Sequence, residues 1–212
     1  METETFLDVL AEKYGTDKRI AESLHGYTTT YYNFLKYKRF EYENVLEIGV
    51  ENGASHKMWY DFFPNAVIYG IDDFSSKNIY TSKEDIENDR IKIFIGKQED
   101  KNFLDNTFNN IMFDMIIDDG SHFSTHQQKS FDYLWDKLKP NGYYCIEDLG
   151  EYTVRKYREF DDIRSSTVIW LFSLIMRYPF SYFIEKERLN KMVHEIKEIT
   201  IIGAELGIII KK

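Results

Sequence analysis

Cysteine is nearly missing from this chain. Cys145 stands alone among 212 residues, which excludes an internal disulfide and a cysteine-ligated zinc and makes a reducing, cytoplasmic setting the expectation. Proline is scarce at 3, and neither a low-complexity linker nor an internal repeat is visible. Long hydrophobic runs are also lacking: the richest stretch, Val168 to Met176, falls well short of the ~20 residues of a membrane span. The opening residues Met1-Glu2-Thr3-Glu4-Thr5 are acidic and polar, unlike a secretory signal. Positive charge is in deficit. Lys and Arg total 27 against 36 Asp and Glu, and the net charge of −9 argues against a nucleic-acid backbone as main partner. Aromatic residues, by contrast, are plentiful, and the length suits one domain with a full core.

The most informative stretch is Val45-Leu46-Glu47-Ile48-Gly49-Val50-Glu51-Asn52-Gly53-Ala54-Ser55. An apolar run passes through glycines into a helical pattern at Ser55 to Phe63. Glycines let a backbone approach a ligand closely, and a helix N-terminus offers unpaired N–H groups. The spacing E-x-G-x-x-x-G is not the dinucleotide fingerprint. Its acid, Glu47, ill suits a phosphate and suits a ligand with cationic groups. S-adenosylmethionine, carrying a sulfonium and an ammonium, is such a ligand.

Before this stretch, helices are expected over 3–13 and about 28–39, separated by Tyr14-Gly15-Thr16-Asp17-Lys18. Residues 1–40 are read as a helical lid on a single globular unit over 41–212. After it, strands are expected at 44–48, 66–71, 91–95, 113–117 and 143–146. Helices or polar loops alternate with them at 55–63, 75–89, 98–104 and 124–138, with a turn at Pro140-Asn141-Gly142. Such alternation means a parallel sheet with helices on both faces. The last part departs from it, with an apolar helix over 161–177 that could serve as a dimer face. A closing antiparallel hairpin follows at 196–202 and 206–210.

In an open parallel sheet, ligands bind beyond the carboxyl ends of the strands. Four of the five strands end there in acids: Glu47, Asp72-Asp73, Asp118-Asp119 and Glu147-Asp148. Asp72 lies roughly twenty residues past the glycine turn, where a carboxylate can bond both hydroxyls of a ribose. Gln98 follows the third strand, near the place of an adenine. Asp119, Glu147 and Asp148 would repel one another unless a cation lies among them, and oxygen donors favour Mg²⁺, Ca²⁺ or Mn²⁺ over zinc. Asp118 and Asp119 alternate, so one ion takes only one of them. Asp119 is the choice, which leaves Asp118 to the cofactor. His122, just beyond in Gly120-Ser121-His122, can take a proton from a hydroxyl. His126 is second in line, whereas His25, His56 and His194 have no such company.

Taken together, Tyr14-Gly15-Thr16-Asp17-Lys18, Val45-Leu46-Glu47-Ile48-Gly49, Phe63-Pro64-Asn65-Ala66, Tyr69-Gly70-Ile71-Asp72, Ile117-Asp118-Asp119-Gly120-Ser121-His122 and Ile146-Glu147-Asp148-Leu149 resemble the metal-dependent macrolide sugar O-methyltransferases. The resemblance runs from about residue 12 to 150. It implies the class I Rossmann-like fold, with a mostly parallel seven-stranded sheet ending in an antiparallel hairpin. It implies S-adenosylmethionine as methyl donor, its methionine part held by the turn at Glu47, Gly49 and Gly53 and its ribose by Asp72. It also implies Mg²⁺ on Asp119, Glu147 and Asp148, His122 as general base, and a glycan or glycosylated small molecule as acceptor. Lys97 departs from the pattern, standing where the family tends to carry an acid. Rival readings are a catechol or small-phenol methyltransferase and a non-catalytic adenosine-ligand binding module. A nicotinamide oxidoreductase would need a second close glycine where Glu51 stands.

Overall fold

The computed structural model describes residues 4–19, 26–77, 79–150, 163–203 and 205–212. The chain forms two compact units, Met1–Ile95 and Gly96–Lys212.

In the first unit, α1 (Phe6–Tyr14) starts from a reciprocal cap. The Thr5 hydroxyl accepts the Asp8 N–H, and the Asp8 carboxylate accepts the Thr5 N–H. Gly15, at φ 67°, ends it in a left-handed turn. Its buried face, Leu7, Leu10 and Ala11, packs beside α2 (Tyr27–Leu35) and α3 (Ala54–Phe62). The expected first helix therefore begins at Phe6, and its residue 3 lies outside the described residues. Strands β1 (Asn44–Ile48), β2 (Val67–Asp72) and β3 (Ile91–Ile95) run parallel in the order β3-β2-β1. Val45, Leu46 and Ile48 are all buried, as in a strand covered on both faces. The polar stretch 75–89 yields only one short helix, α4 (Lys83–Ile86), begun by a Ser82–Asp85 capping box.

The second unit opens with α5 (Lys101–Thr107), capped by Asp100, whose carboxylate accepts the Phe103 N–H. There follow β4 (Phe113–Asp118), α6 (Ser124–Trp135) and β5 (Leu138–Ile146). After a short 3₁₀ turn, Ile163–Ser165, come α7 (Thr167–Ile175), α8 (Lys186–Glu195), β6 (Ile196–Ile202) and β7 (Leu206–Lys211). β4 and β5 are parallel, and β5-β7-β6 continue antiparallel. The seven strands make the mostly parallel sheet with a C-terminal hairpin expected from the sequence.

Two expectations change. The Pro140-Asn141-Gly142 turn lies inside β5 as an irregularity: pairing jumps from Phe113↔Leu138 to Met115↔Tyr143, and Asn141 takes φ 59°. The apolar helix placed at 161–177 is α7, with residues 161 and 162 outside the described set. It buries Trp170, Leu171 and Leu174 and leaves Phe172 and Ile175 exposed. Trp170 meets Phe131 edge-on at 4.9 Å, and Phe131 also stacks on Trp135, so much of α7 belongs to the core of this unit. Among the described residues no helix is long and apolar enough to cross a membrane.

Candidate active site

Each unit carries one constellation. In the first, β1 leads through Gly49 (φ 92°), Glu51 (φ 48°) and Gly53 (φ 76°) into α3. This loop is braced from the end of β2. One Asp72 oxygen accepts the N–H groups of Val50 at 2.8 Å and Glu51 at 3.0 Å, and the other accepts that of Phe74 at 2.7 Å. Asp72, expected at a ribose, thus also fixes the shape of the glycine loop.

Glu47 was expected to meet a cationic ligand. Its side chain is fully buried, and a cation of the chain itself stands beside it: Lys18 Nζ is 3.3 Å from one carboxylate oxygen. The other oxygen accepts Ser55 Oγ at 2.7 Å and lies 3.1 Å from His56 Nδ1. His56 therefore has company after all. Burial pushes its pKa below the ordinary 6.5, against the opposing pull of Glu47. Gly70 leaves room for it: a Cβ there would fall 2.5 Å from His56 Nε2. Nothing in the residues pointed to these partners except Lys18's place in the Tyr14–Lys18 motif.

In the second unit, Asp118 is sealed in the interior. Gln98 Nε2 donates to both its oxygens, at 3.0 and 3.1 Å, and Ser130 Oγ donates to one of them. Burial raises the Asp118 pKa, with the bonds from Ser130 and Gln98 acting against it. Gln98 Oε1 accepts the Ser121 N–H at 2.8 Å, and Ser121 Oγ meets His126 Nδ1 at 2.8 Å. Asp118 and Gln98, both expected at the cofactor, thus also brace the Asp119–His122 loop. His126 is tied into the same network.

That loop carries the open chemistry. Asp119, His122 and Asp148 each offer a ligand atom, all within 4.8 Å of one another, a grouping able to hold a metal ion. His122 Nε2 lies 3.6 Å from Asp148 Oδ2. Both His122 (φ 60°) and Asp148 (φ 57°) are left-handed, a conformation unfavourable for such residues and concentrated at functional sites. Glu147, expected as the third carboxylate ligand, is outside the group. Its N–H donates to the Asp118 carbonyl at 3.0 Å, its own carbonyl accepts Gln127 Nε2 at 3.3 Å, and its side chain is buried. The two carboxylates of the group are oxygen donors, which suit a divalent cation of the Mg²⁺ or Mn²⁺ kind, and the His122 imidazole stands beside them.

No protein-family model matches the chain. It is 35% identical over 148 residues to the 8-demethyl-8-(2-methoxy-alpha-L-rhamnosyl)-tetracenomycin-C 3'-O-methyltransferase of Streptomyces olivaceus, a match spanning 66% of this chain and 36% of that protein. It is 36% identical over 151 residues to the mycinamicin VI 2''-O-methyltransferase of Micromonospora griseorubida, spanning 68% and 36%. Among solved structures, the MycE methyltransferase in complex with Mg, SAH and mycinamycin VI superposes with a TM-score of 0.80 at 28% identity, covering 98% of this chain and 55% of that one. An O-methyltransferase from Bacillus cereus, 14% identical with a TM-score of 0.58 over 100% of this chain and 93% of its own, shares the fold alone.

The architecture is that of the class I Rossmann-like methyltransferases. Within that class the chain is similar to sugar O-methyltransferases of macrolide and tetracenomycin pathways, the resemblance its motifs carried. It spans about a third of the length of the curated relatives it matches (36% of each).

Proposed function

We propose that this chain transfers a methyl group from S-adenosylmethionine to a sugar hydroxyl, with a divalent cation, Mg²⁺ or similar, at Asp119 and Asp148. The observation that carries the reading is the cluster of Asp119, His122 and Asp148 on the loops after β4 and β5. The likeness to an enzyme complexed with Mg and SAH supports the same cofactors.

In this reading the glycine loop, shaped by Asp72, holds the donor in the first unit. The donor supplies an electrophilic methyl on a sulfonium, and the cation supplies Lewis acidity at an acceptor oxygen. Transfer is direct: the bond from methyl to sulfur breaks as that from methyl to acceptor oxygen forms, and S-adenosylhomocysteine leaves. His122 takes the hydroxyl proton. Asp148 Oδ2 lies 3.6 Å from His122 Nε2. A sugar hydroxyl is much less acidic than a phenol and has more need of such a base, which favours the sugar reading over the catechol one. The Gln98–Asp118–Ser130 network keeps the loop in place, as a reacting geometry requires.

Single-turnover methyl transfer and calorimetric S-adenosylmethionine binding, measured on wild type and His122→Ala, test the base assignment. Turnover should drop about 10²–10⁴-fold while cofactor affinity stays the same. A parallel loss of both would remove His122 from that role.

A further inference from the structure

α2 ends at Leu35, and the chain runs on through Lys36-Tyr37-Lys38-Arg39, a basic stretch in a protein of net charge −9. Cations behind a helix C-terminus are ordinary, since they meet the negative end of its dipole. The setting of Lys36 and Arg39 is less so. With Phe6 of α1 and Tyr32 of α2 they line an open cavity of about 240 Å³ on the first unit. The Phe6 and Tyr32 rings both lean on buried Phe62, at centroid distances of 6.3 and 6.4 Å. Arg39 sits over three rings, 4.8 Å from Phe6, 4.4 Å from Phe40 and 5.4 Å from Phe62, and Lys36 Nζ is 5.6 Å from the Tyr32 ring. Among the described residues neither cation meets a carboxylate, although the chain has 36 acids. The Lys36 ammonium donates to Asn33 Oδ1 at 3.4 Å, and the Arg39 guanidinium touches rings alone. Stacking on rings engages the face of a guanidinium and leaves its N–H edge to donate.

We propose that this cavity binds a ring-bearing phosphate monoester, a sugar phosphate or a nucleotide, with the phosphate on Lys36 and Arg39 and the ring against Phe6 and Tyr32. The site goes beyond methyl transfer and does not rest on it: none of its residues belongs to the glycine loop or to the loops after β4 and β5. A phosphate monoester carries about −1.5 to −2 charges near neutral pH, which answers two cations, whereas a carboxylate answers one. The planar fork of Arg39 suits two phosphate oxygens at once, and Lys36 adds a point charge. Aromatic walls give a bare phosphate nothing. To a ring they give stacking, whether on a base or on the C–H face of a pyranose. The space far exceeds the roughly 10–15 Å³ that one water needs and leaves room for the ring beside its phosphate.

The test is calorimetric titration of inorganic phosphate, glucose 1-phosphate and uridine 5′-monophosphate into wild type, Lys36→Gln, Arg39→Gln, Tyr32→Leu and Lys186→Gln, each first checked for cooperative unfolding. Lys186, exposed on α8 of the second unit, controls for the loss of one positive charge. In wild type at least one ester should bind about 5-fold or more tightly than inorganic phosphate, and the tighter ester names the source of the ligand. Lys36→Gln and Arg39→Gln should each weaken that ester about 10-fold or more. Tyr32→Leu should weaken the ester and leave inorganic phosphate unchanged, and Lys186→Gln should change neither. If Arg39→Gln does not fold, Lys36→Gln and Tyr32→Leu decide the matter. The site is overturned when neither ester binds wild type, or when the Lys36 and Arg39 variants bind no more weakly than Lys186→Gln. Inorganic phosphate binding as tightly as both esters overturns it too, because the rings would then recognise nothing.

Discussion

Lys18 and Glu47 are 2% and 0% exposed and 3.3 Å apart, so each charge depends on the other for its stability in the interior. Removing one partner of a buried pair leaves an uncompensated charge and costs about 3–5 kcal/mol. Lys18→Met should therefore unfold at clearly lower urea than wild type, and adding Glu47→Gln should recover most of the loss. A double variant no better than the single would show that the lysine matters through packing instead. His56, in contact with Glu47 and near Lys18 and Asp72, is held below its ordinary 6.5 by burial. As pH falls through that value the unfolded chain takes a proton that the folded chain refuses. Stability present above the ordinary value is thus lost as pH drops toward the folded pKa, by up to about 1.4 kcal/mol per pH unit. His56→Gln should flatten this part of the profile. Urea unfolding at about pH 7.5 and about pH 5.5 checks it, and identical slopes in the two proteins would contradict it.

The elements were largely legible in the residues, and the exceptions have physical causes. β1, β2 and β3 lie within a residue of their expected places because continuous apolar runs bounded by turns have few alternatives. α8 gave no usable signal: only Leu189 and Met192 of its ten residues are buried, too sparse a stripe to stand out. β5 absorbs a Pro-Asn-Gly turn because pairing with β4 resumes beyond it. The glycine loop tests this scale directly. Gly53 has φ +76°, and a Cβ there would come 2.6 Å from Ile86 of α4. Gly53→Ala should cost about 1–3 kcal/mol through conformation alone, with a further loss from the clash. Pairing it with Ile86→Ala should return the clash portion only, once the cost of Ile86→Ala alone is subtracted. Full recovery in thermal unfolding would mean that the left-handed backbone carries no cost.

For the molecule as a whole, the sequence located the chemistry better than it assigned the partners. Acids at strand ends are readable because a strand's period and its terminating turn say where each residue falls. Which acid meets which cation is decided by chain segments far apart in sequence, as with Lys18 and Glu47. It is also decided by backbone choices such as the left-handed His122 and Asp148, which bring the histidine into the metal-type group while Glu147 stays outside. Asp118 and Gln98, expected at the cofactor, are also bonded to each other in the interior, a pairing that residue type alone does not announce. The functional account depends on the chain holding S-adenosylmethionine at the Asp72-braced glycine loop. The most direct test is calorimetric titration of S-adenosylmethionine, with and without Mg²⁺, into wild type and an Asp72→Ala variant shown to be folded. Wild type should bind it in the micromolar range, and Asp72→Ala should lose that binding. Absence of binding by wild type under both conditions would contradict it.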